Sequence, residues 1–201
     1  MMHIFNLNEE NCCKLTDILG DAHPEHLIAS IDAPETSFDP FLDLSPASEL
    51  TSVFLRIAIS KELTVMDDLL EHLCAGLGTS NSMRFLRLEV KDQTSGIRDI
   101  DDYYDSDGVY HSCLYQSDSS AIAVYLQSMD VADVASRIVD AVPTLESISI
   151  RHCGHPGSIP WMFWKVTRPA NGDPRLETVS FESYIESLRR IDLPSQWYTN
   201  D

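Results

Sequence analysis

Basic residues are scarce in this chain: 14 lysines and arginines stand against 32 aspartates and glutamates, giving a formal net charge of −18. Such an acidic surface repels phosphate backbones, so the sequence argues against nucleic-acid binding. No apolar run is long enough to cross a bilayer, and the first residues lack the basic segment and apolar run of a signal peptide. We therefore expect a cytoplasmic or nuclear protein without membrane contact.

Cysteines are few and odd in number, five in all. Cys12 and Cys13 are adjacent, which disfavours a disulfide between them. Cys74, Cys113 and Cys153 lie in apolar or periodic stretches. This usage indicates buried, reduced thiols, as expected inside a cell.

Catalytic motifs are also missing. No serine stands in a G-x-S-x-G turn, and the eight glycines form neither a P-loop nor a G-x-G-x-x-G turn. No cysteine has a neighbour typical of a catalytic thiol. The sequence therefore predicts neither an enzyme nor a bound cofactor.

Two clusters have some features of metal sites. His152, Cys153 and His155 could ligate zinc, but no second pair of ligands at zinc spacing accompanies them. The aspartates within residues 99–108 suggest calcium, but Tyr103 stands where an EF-hand loop has its first ligand. We therefore predict no metal site, and a solvated acidic insertion over residues 91–108.

A short apolar pattern recurs along the chain. Its form, L-x-x-L-x-L with conservative replacements, is typical of the strand of a leucine-rich repeat. Good copies begin at Leu50, Met83, Leu145 and Leu176, at intervals of 33, 62 and 31 residues. The middle interval spans two periods, and the segment Val109–Tyr115, which fits the pattern loosely, lies where the missing copy would fall.

Helical patterns accompany these copies. Apolar residues at helical spacing predict helices over residues 11–20, 64–77 and 130–142, the last capped by Asp130. A short helix is expected near the end of the chain, with Leu188 and Ile191 packed inward. Residues 26–34 are a predicted strand that fits the repeat poorly, and residues 120–129 are a further candidate strand. A unit of strand, loop and helix buries its apolar faces only by stacking on its neighbours.

These patterns predict an α/β fold, an irregular leucine-rich-repeat solenoid with parallel strands on one face and helices on the other. A single domain covers residues 1–201, with the acidic insertion at 91–108 and a capping region at 156–201. Trp161, Phe163 and Trp164 are expected to cap the apolar end of the solenoid, with a binding hot spot as the alternative. An ordinary α/β sandwich with accidental spacing is the alternative fold.

The alternate residues of the repeat strands are expected to form a concave, solvent-exposed face. Three of them are arginines, whose forked guanidinium groups bind carboxylates and phosphates. We therefore expect a protein partner with an acidic or phosphorylated segment, and expect charge reversal at Arg87 to abolish its capture without loss of stability. Internal pairing with Glu89, Glu182 or the acidic insertion is the alternative. The predicted partner-binding residues are Phe54, Arg56, Phe85, Arg87, Glu89, Ser149, Arg151, Ser180 and Glu182.

Three motifs occur in order toward the end of the chain: P-T-L-E-S-I-S-I at residues 143–150, W-K-V-T-R-P at 164–169 and G-D-P-R-L-E at 172–177. In these the chain resembles the C-terminal part of basidiomycete F-box proteins. The resemblance implies a leucine-rich-repeat solenoid that captures substrates for a ubiquitin ligase. In that family a preceding F-box recruits the ligase through an adaptor. No F-box pattern precedes the first helix here, so adaptor binding would require one upstream, and a stand-alone repeat scaffold is the alternative.

Overall fold

Strands and helices alternate along the chain in the computed structural model, which describes residues 2–7, 9–32, 42–59, 66–92, 100–104, 110–114, 128–153, 159–170, 172–189, 193 and 198. The strands in this part of the chain are β1 (Met2–Leu7), β2 (His26–Asp32), β3 (Ser52–Ile59), β4 (Phe85–Asp92), β5 (Ile100–Tyr104), β6 (Tyr110–Leu114), β7 (Ser147–Cys153), β8 (Ile159–Thr167) and β9 (Arg175–Thr178). The helices are α1 (Glu9–Ala22), α2 (Met66–Gly78), α3 (Val131–Ala141) and α4 (Phe181–Leu188).

Seven strands form one mostly parallel sheet in the order β1-β2-β3-β4-β7-β8-β9. The first five are mutually parallel and follow one another in chain order. Strand β8 runs in the opposite direction and pairs antiparallel with both β7 and β9. Strands β5 and β6 form a separate antiparallel pair. The predicted α/β class with parallel strands is therefore confirmed.

The apolar copies at Leu50, Met83 and Leu145 occupy equivalent places in the sheet. Pairing of β3 with β4 aligns the second and third apolar positions of these two copies, and pairing of β4 with β7 aligns them with the third copy. The aligned sets are Val53 with Leu86 and Ile148, and Leu55 with Leu88 and Ile150. All these residues are buried, so the pattern marks real structural equivalents.

Two other predicted copies are wrong. The segment at Val109–Tyr115 contributes β6, whose partner is β5, so the described part of that copy is outside the main sheet. Leu176 lies in β9, which pairs with the reversed strand β8 at the edge of the sheet, and Phe181 begins α4 instead of ending a strand. The pattern matched because strands alternate in this way whichever strand they pair with. Strand β5 also lies inside the predicted acidic insertion, and most of the candidate strand at 120–129 lies outside the described residues.

Helices α1, α2 and α3 pack on one face of the sheet, here called the helix face. Leu15 and Leu19 of α1, Leu73 of α2 and Ile138 of α3 belong to one apolar core with the aligned strand residues. Asp130 caps α3 as predicted, because its Oδ1 accepts hydrogen bonds from the Ala132 and Asp133 amides at 3.0 and 3.3 Å. None of the described helices is both long and apolar enough to span a bilayer.

Residues 42–50 cover the helix face between α1 and α2, where the chain from β2 reaches β3. Leu42 and Leu44 are buried in the core, and the Leu44 amide donates to Thr79 Oγ1 at 2.8 Å. The Leu42 backbone packs directly on Gly76, where a Cβ atom would collide with the Leu42 carbonyl. Glycine at position 76 therefore permits this close approach.

Helix α4 lies on the opposite face, here called the strand face. It begins at Ser180, whose Oγ accepts a hydrogen bond from the Ser183 amide at 3.3 Å, and it buries Tyr184 and Leu188 as the sequence predicts for Leu188. These residues form a second core with Phe54, Phe85, Trp161 and Phe163. The sheet is therefore covered on both faces.

Candidate functional site

Parallel pairing lines up four rows of side chains on the strand face, across β3, β4 and β7. In order along the strands, the rows are Ser52, Phe85 and Ser147; Phe54, Arg87 and Ser149; Arg56, Glu89 and Arg151; and Ala58, Lys91 and Cys153. The structure thus brings together the predicted residues that lie on these three strands. Arg56 lies beside Glu89 instead of beside Arg87, so a carboxylate separates two of the predicted arginines.

Ser180 and Glu182 do not join this group. Ser180 is the N-cap of α4, and Glu182 lies in its first turn with an exposed side chain. A backbone hydrogen bond and the Ser180 hydroxyl lower the pKa of Glu182. The prediction that these two residues extend the strand face is wrong, because β9 ends at Thr178 and the chain then turns into a helix.

The strand face is not open to solvent over most of its area. Phe54, Phe85, Arg87, Glu89 and Ser149 are each at most 4% exposed. The prediction of a solvent-exposed concave face is therefore wrong for these five. Residues of β8 and α4 cover four of them: Phe54, Phe85, Arg87 and Ser149. Glu89 is enclosed by the three cations that contact it. Sequence alternation separates the two faces of a strand but does not show what covers each face.

Two predicted residues on this face keep solvent contact, and a third residue joins them. The exposed fraction of the side chain is 36% for Arg56, 19% for Arg151 and 49% for Lys91. Lys91 was missed by the sequence analysis, although its spacing of two residues from Glu89 places it on the same face. These three cations form the solvent-facing part of the site.

Glu89 is the centre of the site. Its Oε2 accepts from Arg56 Nε at 3.1 Å, and its Oε1 accepts from Arg151 Nη2 at 2.8 Å and lies 3.3 Å from Lys91 Nζ. The Cys153 thiol also lies 3.6 Å from Oε1. Burial opposes ionisation of Glu89, but the charges and hydrogen bonds of Lys91 and Arg151 outweigh it, so the pKa of Glu89 is lowered.

Arg87 lies beneath this group, stacked on aromatic rings. Its guanidinium carbon is 3.8 Å from the ring centroid of Trp161 and 5.2 Å from that of Phe54. Arg151 also contacts the Trp161 ring, at 4.7 Å. Burial lowers the pKa of Arg87 to about 10, which leaves it charged at neutral pH. Trp161 therefore faces two cations and is more than a hydrophobic cap.

Tyr184 of α4 closes the buried side of the site. Its hydroxyl lies 3.2 Å from Ser149 Oγ, and its ring centroid is 4.6 Å from that of Phe163. Burial raises the pKa of Tyr184 to about 12, so the phenol stays neutral. No signal in the sequence indicated that this tyrosine would reach a strand residue, since the contact depends on where α4 docks.

The histidine and cysteine cluster does not converge on one point. His152 and Cys153 are neighbours in β7, so their side chains point to opposite faces of the sheet. Burial lowers the pKa of His152 and raises that of Cys153, which is a free thiol. His155 lies outside the described residues. Within the described part of the chain, no group of three potential metal ligands comes together.

The arrangement of charges at the site suits an anion. In the described part of the chain, three partly exposed cations share one carboxylate, so positive charge is in excess within this group. Guanidinium and ammonium groups with spare N–H donors bind carboxylate or phosphate oxygens. No protein-family model matches this chain, and comparisons with curated proteins and with solved structures found no significant match either.

Proposed function

We propose that this chain is a protein-interaction module of the leucine-rich-repeat type, and the substrate-recognition part of an F-box-type ubiquitin-ligase receptor. The observation that carries the proposal is the alignment of three copies of one apolar pattern on adjacent parallel strands. Repeat folds add one unit after another in chain order, so this strand order supports the proposal. Such folds present long surfaces that suit partner binding.

Backbone hydrogen bonds between successive units support this interpretation. The residue just before each strand donates its amide to the corresponding residue of the preceding unit. Thr51 donates to Glu25 at 2.9 Å, Arg84 donates to Thr51 at 2.8 Å, and Glu146 donates to Arg84 at 2.8 Å. The units are thus joined by the same contact each time, as expected of repeats.

The partner surface in this proposal is the solvent-facing group of Arg56, Lys91 and Arg151. Phe54, Phe85, Arg87, Glu89 and Ser149 support it from beneath. Its partner is a protein, with neither nucleic acid nor membrane involved, and no catalysis takes place. The proposed location is the cytoplasm or nucleus, which the free thiols of Cys74 and Cys153 suit.

A stand-alone repeat scaffold without a ligase link is the second candidate. It rests on the same stacked arrangement of aligned strands and requires no adaptor-binding segment. The two candidates share the same interaction surface. They differ in whether the mature product also binds the ligase adaptor.

The test that separates them begins with the transcript. Its 5′ end is mapped and translated, and the full product is co-expressed with the adaptor, with the 201-residue chain as control. We expect an F-box in frame ahead of Met1, and adaptor that co-purifies with the full product but not with the control. A transcript that begins at Met1, or a full product that does not bind the adaptor, would contradict the ligase proposal and favour the stand-alone scaffold.

A further inference from the structure

We propose that Arg56, Lys91 and Arg151 bind a phosphorylated side chain of the partner, presented by a segment whose flanking residues are neutral or basic. This inference rests on the proposed function, because it names the ligand class of the same surface. The three cations come from three adjacent strands and lie toward the carboxyl ends of those strands. Ligands of parallel α/β sheets bind at this edge.

Spare hydrogen-bond donors on the three cations provide the contacts. Arg56 donates only its Nε–H to Glu89, and neither of its two terminal nitrogens has a partner among the described residues. Arg151 donates its Nε–H and one terminal nitrogen to Glu89, and its other terminal nitrogen has no hydrogen bond to any residue that the structure describes. The Lys91 ammonium has one ion-pair partner, Glu89, in the described part of the chain.

Glu89 orders these donors without neutralising them. It is 1% exposed, and cations on both neighbouring strands contact its two oxygens, so it fixes the spacing between Arg56 and Arg151. Among the described residues, one carboxylate balances one of the three charges, which leaves an excess of two. A phosphomonoester carries about −1.5 to −2 charges at neutral pH and three acceptor oxygens. It therefore matches this excess better than a single carboxylate does.

The rest of the protein decides what surrounds the phosphate. The chain carries a net charge of −18, so an acidic segment or an anionic membrane is repelled at long range, while the cations act only at short range. A phosphorylated residue between neutral or basic neighbours avoids this repulsion. Whether the affinity falls or rises with salt concentration should consequently show whether the residues that flank the phosphate are basic or acidic.

The binding test uses the full chain and short labelled peptides. One peptide has a phosphoserine between lysines and alanines, a second has serine in its place, and a third keeps the phosphoserine but has glutamates for lysines. Anisotropy measures affinity, and arginine Nε–H signals in ¹⁵N NMR spectra locate the contact. We expect the first peptide to bind, to shift the Arg56 and Arg151 signals, and to weaken as salt rises. The third peptide should bind more weakly than the first at low salt, and its affinity should rise as salt screens the repulsion between its glutamates and the acidic chain.

Matched variants separate the site from general charge. Arg56→Gln removes one cation of the site, whereas Arg84→Gln removes a similarly exposed arginine at the opposite end of β4, paired with Glu146. We expect Arg56→Gln to weaken phosphopeptide binding roughly tenfold or more, and Arg84→Gln to change it less than about twofold. Arg56→Lys should restore part of the loss, and unchanged melting temperatures would exclude misfolding as the cause.

Three outcomes would overturn the inference. They are equal binding of the phosphorylated and unphosphorylated peptides, equal losses in Arg56→Gln and Arg84→Gln, and competition by inorganic phosphate at the same concentration as the peptide, which would mark a small-anion site only. Failure here is distinguishable from failure of the proposed function. Adaptor binding by the full product does not depend on phosphate, so a ligase receptor that reads an unphosphorylated partner would pass the first test and fail this one.

Discussion

The two faces of the sheet are buried to a similar degree but by different means. On β4, Leu88 points to the helix face and is 1% exposed, while its neighbours Arg87 and Glu89 point to the strand face and are also 1% exposed. The helix face packs aliphatic side chains against three helices. The strand face packs aromatic rings and ion pairs against α4 and β8. Burial alone therefore does not identify a hydrophobic core.

The difference bears on function. Aliphatic packing on the helix face depends on shape and has no charge to offer a ligand. On the strand face the coverage is incomplete toward the carboxyl ends of the strands, where Arg56 and Lys91 keep solvent contact. A buried carboxylate beneath exposed cations can order a binding surface, whereas a layer of leucines cannot. Four substitutions test this contrast.

The largest effect is expected on the helix face. Leu88→Ala removes a fully buried side chain at the centre of the parallel sheet and leaves a cavity between the strands and the helices. We expect the free energy of unfolding to fall by about 4 kcal/mol, measured by urea denaturation at neutral pH. The exposed Lys165→Ala change serves as control. A loss below about 1 kcal/mol would contradict tight packing of this face.

Glu89→Gln should have the next largest effect. It keeps the shape of the side chain but leaves Arg56, Lys91 and Arg151 without their carboxylate, so we expect a loss of about 3 kcal/mol at neutral pH. The measurement is again the urea midpoint.

Denaturation at acidic pH tests whether the stability loss in Glu89→Gln comes from the lost charge. The pKa of Glu89 is lowered in the folded state, so its ion pairs stabilise the fold fully above the ordinary value of 4.5 and lose this contribution as the pH falls below it. The difference between the parent protein and Glu89→Gln should therefore shrink in acid, while the Leu88→Ala difference should not. A Glu89→Gln deficit that stays constant with pH would show that shape, and not charge, matters at this position.

Tyr184→Phe probes how α4 is held on the strand face, with a smaller expected effect. The change removes the buried contact between the phenol and Ser149 Oγ and leaves that hydroxyl without this partner. We expect a loss of about 1 kcal/mol. In a double-mutant cycle with Ser149→Ala the two losses should not add. Additive losses would mean that the two hydroxyl groups do not interact.

The smallest effect is expected for Arg84→Gln. Arg84 donates two hydrogen bonds of 2.8 Å to Glu146, but both side chains are about half exposed. Exposed pairs of this kind contribute little, so the loss should stay below about 0.5 kcal/mol and should decrease further in high salt. A loss as large as that of Glu89→Gln would remove the distinction between buried and exposed pairs.

The sequence analysis was correct where local pattern decides the structure. The apolar positions that follow Leu50, Met83 and Leu145 proved equivalent, and the Asp130 cap of α3 formed as predicted. It failed where the same pattern serves another purpose. Leu176 has the spacing of a repeat strand, yet β9 pairs with the reversed strand β8 and not with a repeat strand, because alternation does not show which strand is the neighbour.

The candidate site was predicted in part. Alternation placed Arg56, Arg87, Glu89 and Arg151 on one face, because neighbours two residues apart on a strand share a side. Alternation did not predict that Arg87 would be buried. The expectation that charge reversal at Arg87 leaves the stability of the fold unchanged therefore no longer holds. Nor did alternation reveal the contact between Tyr184 and Ser149, since these residues are far apart in the chain.

The sequence by itself determined which residues share a face, where three of the helices lie and which apolar sets repeat, because each follows from the period of a strand or helix over a few residues. Only the tertiary structure decided which residues of the strand face keep contact with solvent. That outcome depends on the docking of α4 and on the reversal of the chain at β8. These long-range contacts bury Phe54 and Arg87 but leave Arg56 and Lys91 partly exposed, so that part of the row of charges remains open to solvent as a candidate binding site.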